Sequence, residues 1–356
     1  MKTDEAIISI IIPVYNAQAY IAETIESVLQ QNYKKWELIL IDNMSKDHSL
    51  DICSTYEKKY ENIHVYQEKR KGVSNVRNCG LANAIGEFVM FIDADDFLPD
   101  KSVLNRYVVS MKRTNADIVV SNYERLWNGK RLSAKGNEIF SEEPRDSKDF
   151  RFQGFFSVGT LSYVWGKMYR REFLERNHIV FDSYSYAEDK MFNLQCYMNG
   201  ATYAFLHSVG YIYRMNSQSL SFVYREDAKE NWFRMAENLE QCLRKRGKQK
   251  GWSDIVDALI LFAVFFDGKM EYTQKSVKAT VGLLKAYGAH SLCRRCFRRR
   301  AYGESICSSS LFMWKMAMRL FSIGMFLHWY YLWAILIKLL VDCRIDERLS
   351  DTGLRE

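Results

Sequence analysis

The sequence predicts an α/β fold, a mostly parallel sheet with helices on both faces, followed by a C-terminal helical region that associates with membranes. Three observations carry this. Apolar β-branched runs alternate with amphipathic helical stretches through the first hundred residues, and long helical periodicities take over from Asp227 onward. Phe88 to Ile92 reads as a buried strand that ends in Asp93, Asp95 and Asp96. Ligands of open α/β sheets bind at the carboxyl ends of strands, and carboxylates crowded there call for a cation. The plain alternative is a helix entry with surface acids, which Asp95-Asp96-Phe97-Leu98-Pro99 also fits.

Ile7 to Ile12 is a β-branched run predicted to stop at Pro13, leaving Val14-Tyr15-Asn16 at its carboxyl end. From Tyr20 to Gln31, Ile21, Ile25, Val28 and Leu29 recur at helical spacing. Trp36 to Ile41 is a second strand ending in Asp42, and Asp47 or Ser49 can cap the helix that follows to Tyr60. Ile63 to Gln67 is a short third strand, and Gly72 to Asn78 a polar loop and helix start. Such alternation implies right-handed crossovers and a parallel sheet. Strand ends at Asn16, Asp42 and Asp93 would converge at one edge, as a nucleotide pocket requires. No Gly-x-Gly-x-x-Gly or P-loop pattern is present, which disfavours glycine-loop phosphate binding. Further on, Asp117 to Tyr123 is a strand, Asn128-Gly129 a hairpin turn, and Ser141 to Lys148 a polar connection.

The chain has 356 residues, a formal charge of +7 and 48% hydrophobic residues, which excludes a disordered protein and suits an anionic partner. Eight scattered cysteines fit reduced thiols, and Cys293 with Cys296 lacks a second pair for a zinc site. No cleavable leader precedes Ile7, so the catalytic part is expected in the cytoplasm.

Seven ordered segments carry a resemblance. Ile10-Ile11-Ile12-Pro13-Val14-Tyr15-Asn16, Ile39-Leu40-Ile41-Asp42, Gly72 to Asn78 with Arg77, and Gly86 to Asp96 resemble the nucleotide-sugar domain of the family 2 inverting glycosyltransferases. Val164-Trp165-Gly166-Lys167-Met168-Tyr169-Arg170, Ala187-Glu188-Asp189-Lys190 and Tyr211-Ile212-Tyr213-Arg214 with Ser219 resemble later segments of bacterial members that build polysaccharides and glycolipids. The resemblance spans residues 7 to 225 and implies the GT-A fold. One departure is Asp42-Asn43-Met44-Ser45, where the family has Asp-Asp-Gly-Ser; a loop without its glycine is expected to differ in shape.

The resemblance implies roles. Val14 and Tyr15 would flank the base, Asp42 would accept from it, and Pro13, Asn16 and Arg77 would bind the nucleotide sugar nearby. Asp93 and Ala94 would face ribose and phosphate, and Asp95 with Asp93 would hold Mn²⁺ or Mg²⁺. Trp165 and Lys167 would meet the acceptor. Asp189 would be the general base and Glu188 its support. The chemistry requires such groups: a cation stabilises the departing diphosphate, and a carboxylate takes the acceptor hydroxyl's proton. A single base implies inversion. Glu188 and Asp189 equally suit a helix N-terminus.

Four parts are expected: a nucleotide-sugar half at 1–100, an acceptor half at 101–225, a helical extension at 226–300, and hydrophobic and basic membrane-associating helices at 301–356. Between Leu320 and Ile337 no charged residue appears. Trp329, Tyr330, Tyr331 and Trp333 stand in its middle, so a helix lying in the cytoplasmic membrane interface is expected, ahead of a single span or a helical dimerisation unit. The function expected is metal-dependent transfer from a nucleotide sugar, UDP-linked, to a glycan or lipid-linked hydroxyl. A sugar nucleotidyltransferase and a membrane scaffold with a dead domain are the alternatives; nucleic-acid binding through Arg294 to Arg300 lacks any accompanying module.

Overall fold

The computed structural model describes residues 6–134, 136–144, 146–157, 159–215, 224–247, 249–303 and 312–343. It divides into two compact units, Met1–Pro144 with Thr160–Ser217, and Arg145–Gly159 with Gln218–Glu356. Ser219, singled out above, lies outside the described residues.

The first unit opens with the alternation that the periodicity predicts. In order come β1 (Ile8–Val14), α1 (Ile21–Leu29), β2 (Trp36–Asp42), α2 (Ser49–Lys59), β3 (Ile63–Gln67), α3 (Val73–Asn83) and β4 (Phe88–Phe91). β1 pairs in parallel with β2 and β4, and β2 with β3. Ile10, Ile11, Ile12, Leu38, Ile39 and Leu40 are all fully buried, as strands covered on both faces require.

β1 runs through Pro13 instead of stopping there. Ile11 gives its carbonyl to Ile92 N–H on the β4 side, whereas Val14 gives its carbonyl to Asn43 N–H on the β2 side. Alternation therefore turns Pro13 toward β4, whose pairing has ended at Ile11 and Phe91. Its missing N–H breaks no ladder bond.

α4 (Val103–Thr114), β5 (Ile118–Trp127) and β6 (Lys130–Ser133) follow, with α5 (Lys148–Phe152) belonging to the second unit. Asn128 (φ 47°) and Gly129 (φ 76°) make the predicted hairpin turn. β7 (Lys167–Arg170) then inserts antiparallel between β4 and β5, α6 (Arg171–Arg176) and α7 (Glu188–Met198) follow, and β8 (Tyr203–Arg214) runs parallel to β5. The eight-stranded sheet has the order β3-β2-β1-β4-β7-β5-β6, with β8 on β5. It is purely parallel up to β4 and mixed beyond.

The second unit continues with α8 (Ala228–Lys245), α9 (Gln249–Gln274), α10 (Val277–Ala289), α11 (Ser291–Tyr302), α12 (Phe312–Phe326) and α13 (Tyr330–Asp342). Leu259, Ile260 and Val264 of α9 are fully buried, so that apolar run is core. Asp267 accepts from Trp232 Nε1 at 3.0 Å and Tyr287 Oη at 2.6 Å, tying α8, α9 and α10 together. The uncharged run from Leu320 to Ile337 is two helices, not one. Its chain reverses at His328 (φ 66°). Trp333 then returns onto Phe321, ring centroids 4.9 Å apart, in the space that Gly324 leaves. No described helix is long and apolar enough to cross a membrane, which removes the single span among the described residues.

Candidate active site

Asp42 ends β2 beside Val14. It is 3% exposed, one carboxylate oxygen accepts Ser45 N–H at 3.2 Å, and its buried Oδ1 has no protein partner. An unsatisfied buried acceptor is costly unless a ligand donates to it. The loops after β1 and β2 are laced together: Asn16 N–H donates to Ser45 Oγ, Asn16 Oδ1 accepts Lys46 N–H, and Gln18 N–H donates to Asp47. Asn16 thus spends its side-chain oxygen on the loop. Tyr15 is 60% exposed and Pro13 half-buried, whereas Val14 and Ala94 point into the core. Those two side chains pack in the core and leave only their backbone for a ligand. Met44 adopts φ 60°, so a non-glycine residue takes the left-handed conformation in this turn.

The acids after β4 occupy different environments. Burial, with Asp93 nearby, pushes the Asp95 carboxyl up to about 6. Asp96 is buried deeper, which raises it well above the usual carboxylate range, and it serves structure: Tyr211 Oη donates to it at 2.6 Å and Arg214 N–H at 2.7 Å. Tyr211 Oη also accepts Asp93 N–H at 3.1 Å, and Arg214 Nε donates to Asp95 O at 2.8 Å. Thr24 Oγ1 reaches the carbonyls of Ala94 and Asp96. Tyr211, Arg214 and Thr24 therefore fix the loop's backbone. Sequence reading gave them no role; the Tyr-Ile-Tyr-Arg segment was visible, but its pairing with Asp96 is a contact across 115 residues.

Arg77 joins this loop to α7. Its guanidinium donates to Asp93 Oδ1 at 3.0 Å and to Glu188 Oε1 at 2.6 Å, and lies 5.4 Å from the Phe181 ring centroid. Burial alone would lower the Arg77 pKa, but Asp93, Glu188 and Asp189 raise it. α3 also grips the approach to α7, with Asn78 exchanging hydrogen bonds with the Phe181 backbone and Ser74 donating to Asp182 O. Asp189, the second residue of α7, accepts Lys190 N–H at 2.7 Å. Burial and the Glu188 charge push its carboxyl up to about 7, with Arg77 pulling the other way.

Trp165 and Lys167 are not open acceptor surfaces. Trp165 is 7% exposed and stacks on Tyr163 at 4.5 Å, Tyr211 at 4.8 Å and Tyr213 at 5.5 Å. Lys167 is 1% exposed and its ammonium donates to the carbonyls of Thr160, at 2.6 Å, and Tyr163. Burial lowers its pKa to about 7. Both residues shape the segment from Thr160 to Gly166, because a buried ammonium must take every acceptor within reach. Among the described residues no group of three or more His, Cys, Asp or Glu side chains could by itself hold a metal ion.

Known proteins resemble this chain in sequence and in fold. Residues 9–177 match the family model Glycosyl transferase family 2. The uncharacterized glycosyltransferase EpsJ of Bacillus subtilis is 30% identical over 225 residues, covering 60% of this chain and 63% of EpsJ. The poly(ribitol-phosphate) beta-glucosyltransferase of Bacillus spizizenii is 28% identical over 75% of this chain and 40% of its own length. The chain thus spans less than two thirds of these relatives. In structure, residues 1–349 of TarS from S. aureus, solved with UDP-GlcNAc, superpose with a TM-score of 0.66 at 22% identity, covering 90% of this chain and 89% of that one. That likeness shows the GT-A fold. Residues 9–177 are thus a glycosyl transferase family 2 domain.

Proposed function

We propose that this chain transfers a sugar, with inversion, from a nucleotide sugar to a hydroxyl of a cell-surface polymer or lipid-linked acceptor at the inner face of the membrane. The observation that carries the proposal is Arg77, which holds Asp93 of the donor-side loop and Glu188 beside Asp189 on one guanidinium. The donor is UDP-linked, a reading supported by the UDP-GlcNAc in TarS. A polyol-phosphate polymer of teichoic acid type is the acceptor class that the poly(ribitol-phosphate) relative and the minor teichoic acid biosynthesis protein GgaA of Bacillus subtilis support.

Asp42 Oδ1, buried and unpartnered, accepts the donor base's imide N–H. Asp95, with Asp93 beside it, holds Mn²⁺ or Mg²⁺. One or two carboxylates suit such an ion when diphosphate oxygens complete its shell, and that fits a site without a three-residue ligand set. When bound, the ion neutralises charge that develops on the leaving diphosphate. Asp189, poised at about 7, takes the proton of the attacking hydroxyl near neutral pH. Arg77 opposes protonation of Asp189, and its ion pair with Glu188 fixes that side chain beside the base. With one base and a displacement in line with the leaving group, the product is inverted.

The test is release of free nucleoside diphosphate from a panel of UDP- and GDP-sugars, with poly(ribitol phosphate) as acceptor, in manganese and then in chelator. Metal-dependent release of UDP with acceptor is expected. Formation of nucleotide sugar from a sugar phosphate and nucleoside triphosphate would instead make this a nucleotidyltransferase, and no turnover with any donor would leave a scaffold.

A further inference from the structure

We propose that the outward faces of α12 and α13 are a docking surface for an anionic lipid bilayer, with the exposed arginines of α11 on its headgroups. This deepens the placement at a membrane suggested above. α13 is apolar on both faces: Trp333, Ala334 and Ile337 point inward, while Tyr331 (64% exposed), Leu332 (48%), Ile335 (46%) and Leu339 (49%) point outward. α12 repeats this one turn apart, with Met316 (50%) and Leu320 (51%) outward. A surface helix of a water-soluble unit turns polar residues outward, so contiguous apolar side chains on both helices mark an interaction surface.

Charge chooses the occupant. The one acid on α12 or α13 is Asp342, the last residue of α13, and it is neutralised by its ion pair with Lys338. α11 lies against α12, with the Arg294 guanidinium 5.8 Å from the Phe326 ring centroid and Tyr302 edge-on to Phe326. Arg298 follows one turn after Arg294, and Arg319 reaches back to the Ala301 carbonyl at 3.0 Å. No ion pair among the described residues uses Arg294, Arg298 or Arg319. Apolar side chains flanked by unpaired cations match the boundary of a bilayer bearing anionic headgroups. A second copy of the chain is the poorer occupant, because a two-fold interface sets the patch against itself and would bring these arginines together.

The experiment is co-sedimentation of the full chain with vesicles of phosphatidylcholine alone and of phosphatidylcholine mixed equally with phosphatidylglycerol, without donor or acceptor. Partition onto the anionic vesicles, weakened by salt, is expected. I335E/L339E should cut it about tenfold or more, and Arg298→Gln about fivefold. The substituted side chains are exposed, so the urea midpoint of each variant should equal that of the native chain. Absent binding to anionic vesicles, or binding indifferent to both variants, overturns the proposal. So does a lipid-free dimer that I335E/L339E dissolves, which makes the surface a self-interface. A chain that binds vesicles but transfers no sugar sinks only the transferase reading.

Discussion

Replacing Asp189 by Asn removes the proposed base but keeps its shape and the oxygen that accepts Lys190 N–H. Two readouts should then move in opposite directions. Loss of a positioned base costs roughly 10²–10⁴ in turnover, about 3 to 5 kcal/mol of barrier. Stability should rise, because burial and Glu188 hold the native carboxyl at about 7 against an ordinary 3.8. Between those values the folded chain keeps a proton that the unfolded chain has released, so native stability falls as pH climbs through that window and levels off above it. An amide has nothing to ionise and escapes the loss. At about 1.4 kcal/mol per pH unit, the interval bounds the gain at about 4 kcal/mol above pH 7, shrinking to nothing near pH 4. Nucleoside diphosphate release measures the first effect, and urea denaturation at mildly acidic and mildly alkaline pH the second. Turnover within tenfold of native would mean the base is elsewhere. An equal stability difference at both pH values would mean Asp189 is not the buried, proton-retaining group described.

Asp95→Asn should weaken the manganese-dependent part of nucleotide binding about tenfold or more, read by calorimetry with and without the metal; unchanged metal dependence would count against its role. In the native chain the same dependence should fade as pH drops through about 6, where protons compete for the Asp95 carboxylate. Met44→Gly should stabilise slightly, by up to about 1 kcal/mol, since relief of a left-handed non-glycine residue, worth about 1–2 kcal/mol, outweighs the about 0.5–1 kcal/mol that the greater unfolded-chain entropy of glycine costs. Met44 is 40% exposed, so little burial is given up; a fall in urea midpoint would show that its side chain holds the loop.

The parallel half of the sheet was legible because each strand there is a continuous apolar run bounded by polar turns, and β3 lies where Ile63 to Gln67 predicts. The same reading placed Asp42 and the acids after β4 at strand ends. β7 was not legible: four residues show no period, and their partners, Phe88 to Met90 and Ile118 to Val120, are distant in sequence. Lys167 and Trp165 misled for a related reason. A lysine reads as solvent-facing, and only the carbonyls of Thr160 and Tyr163 reveal that this one is caged. The reversal at His328 has no hydropathy signal, because Gly324 and Trp333 meet only once the helices fold back.

The charge balance around Arg77 ties these points together. One guanidinium faces Asp93, Glu188 and Asp189, while Asp95 sits just beyond with Asp93 raising its pKa further. Buried ion pairs return little net stability after desolvation, and carboxylates in excess of their cation return less. That excess adds to burial, the larger cause, in lifting Asp189 to about 7 and Asp95 to about 6. It therefore destabilises the fold taken alone and stabilises any complex that brings positive charge to Asp95 or takes a proton through Asp189. Lys190 is a second buried cation beside Asp189; on the Asp95 side, a site built only for structural stability would place another. The described residues around Asp95 offer Arg214, whose guanidinium is committed to Glu23 and to the Asp95 carbonyl. On the proposed reading, the remaining negative charge serves a metal-bound diphosphate at Asp95 and an acceptor hydroxyl at Asp189.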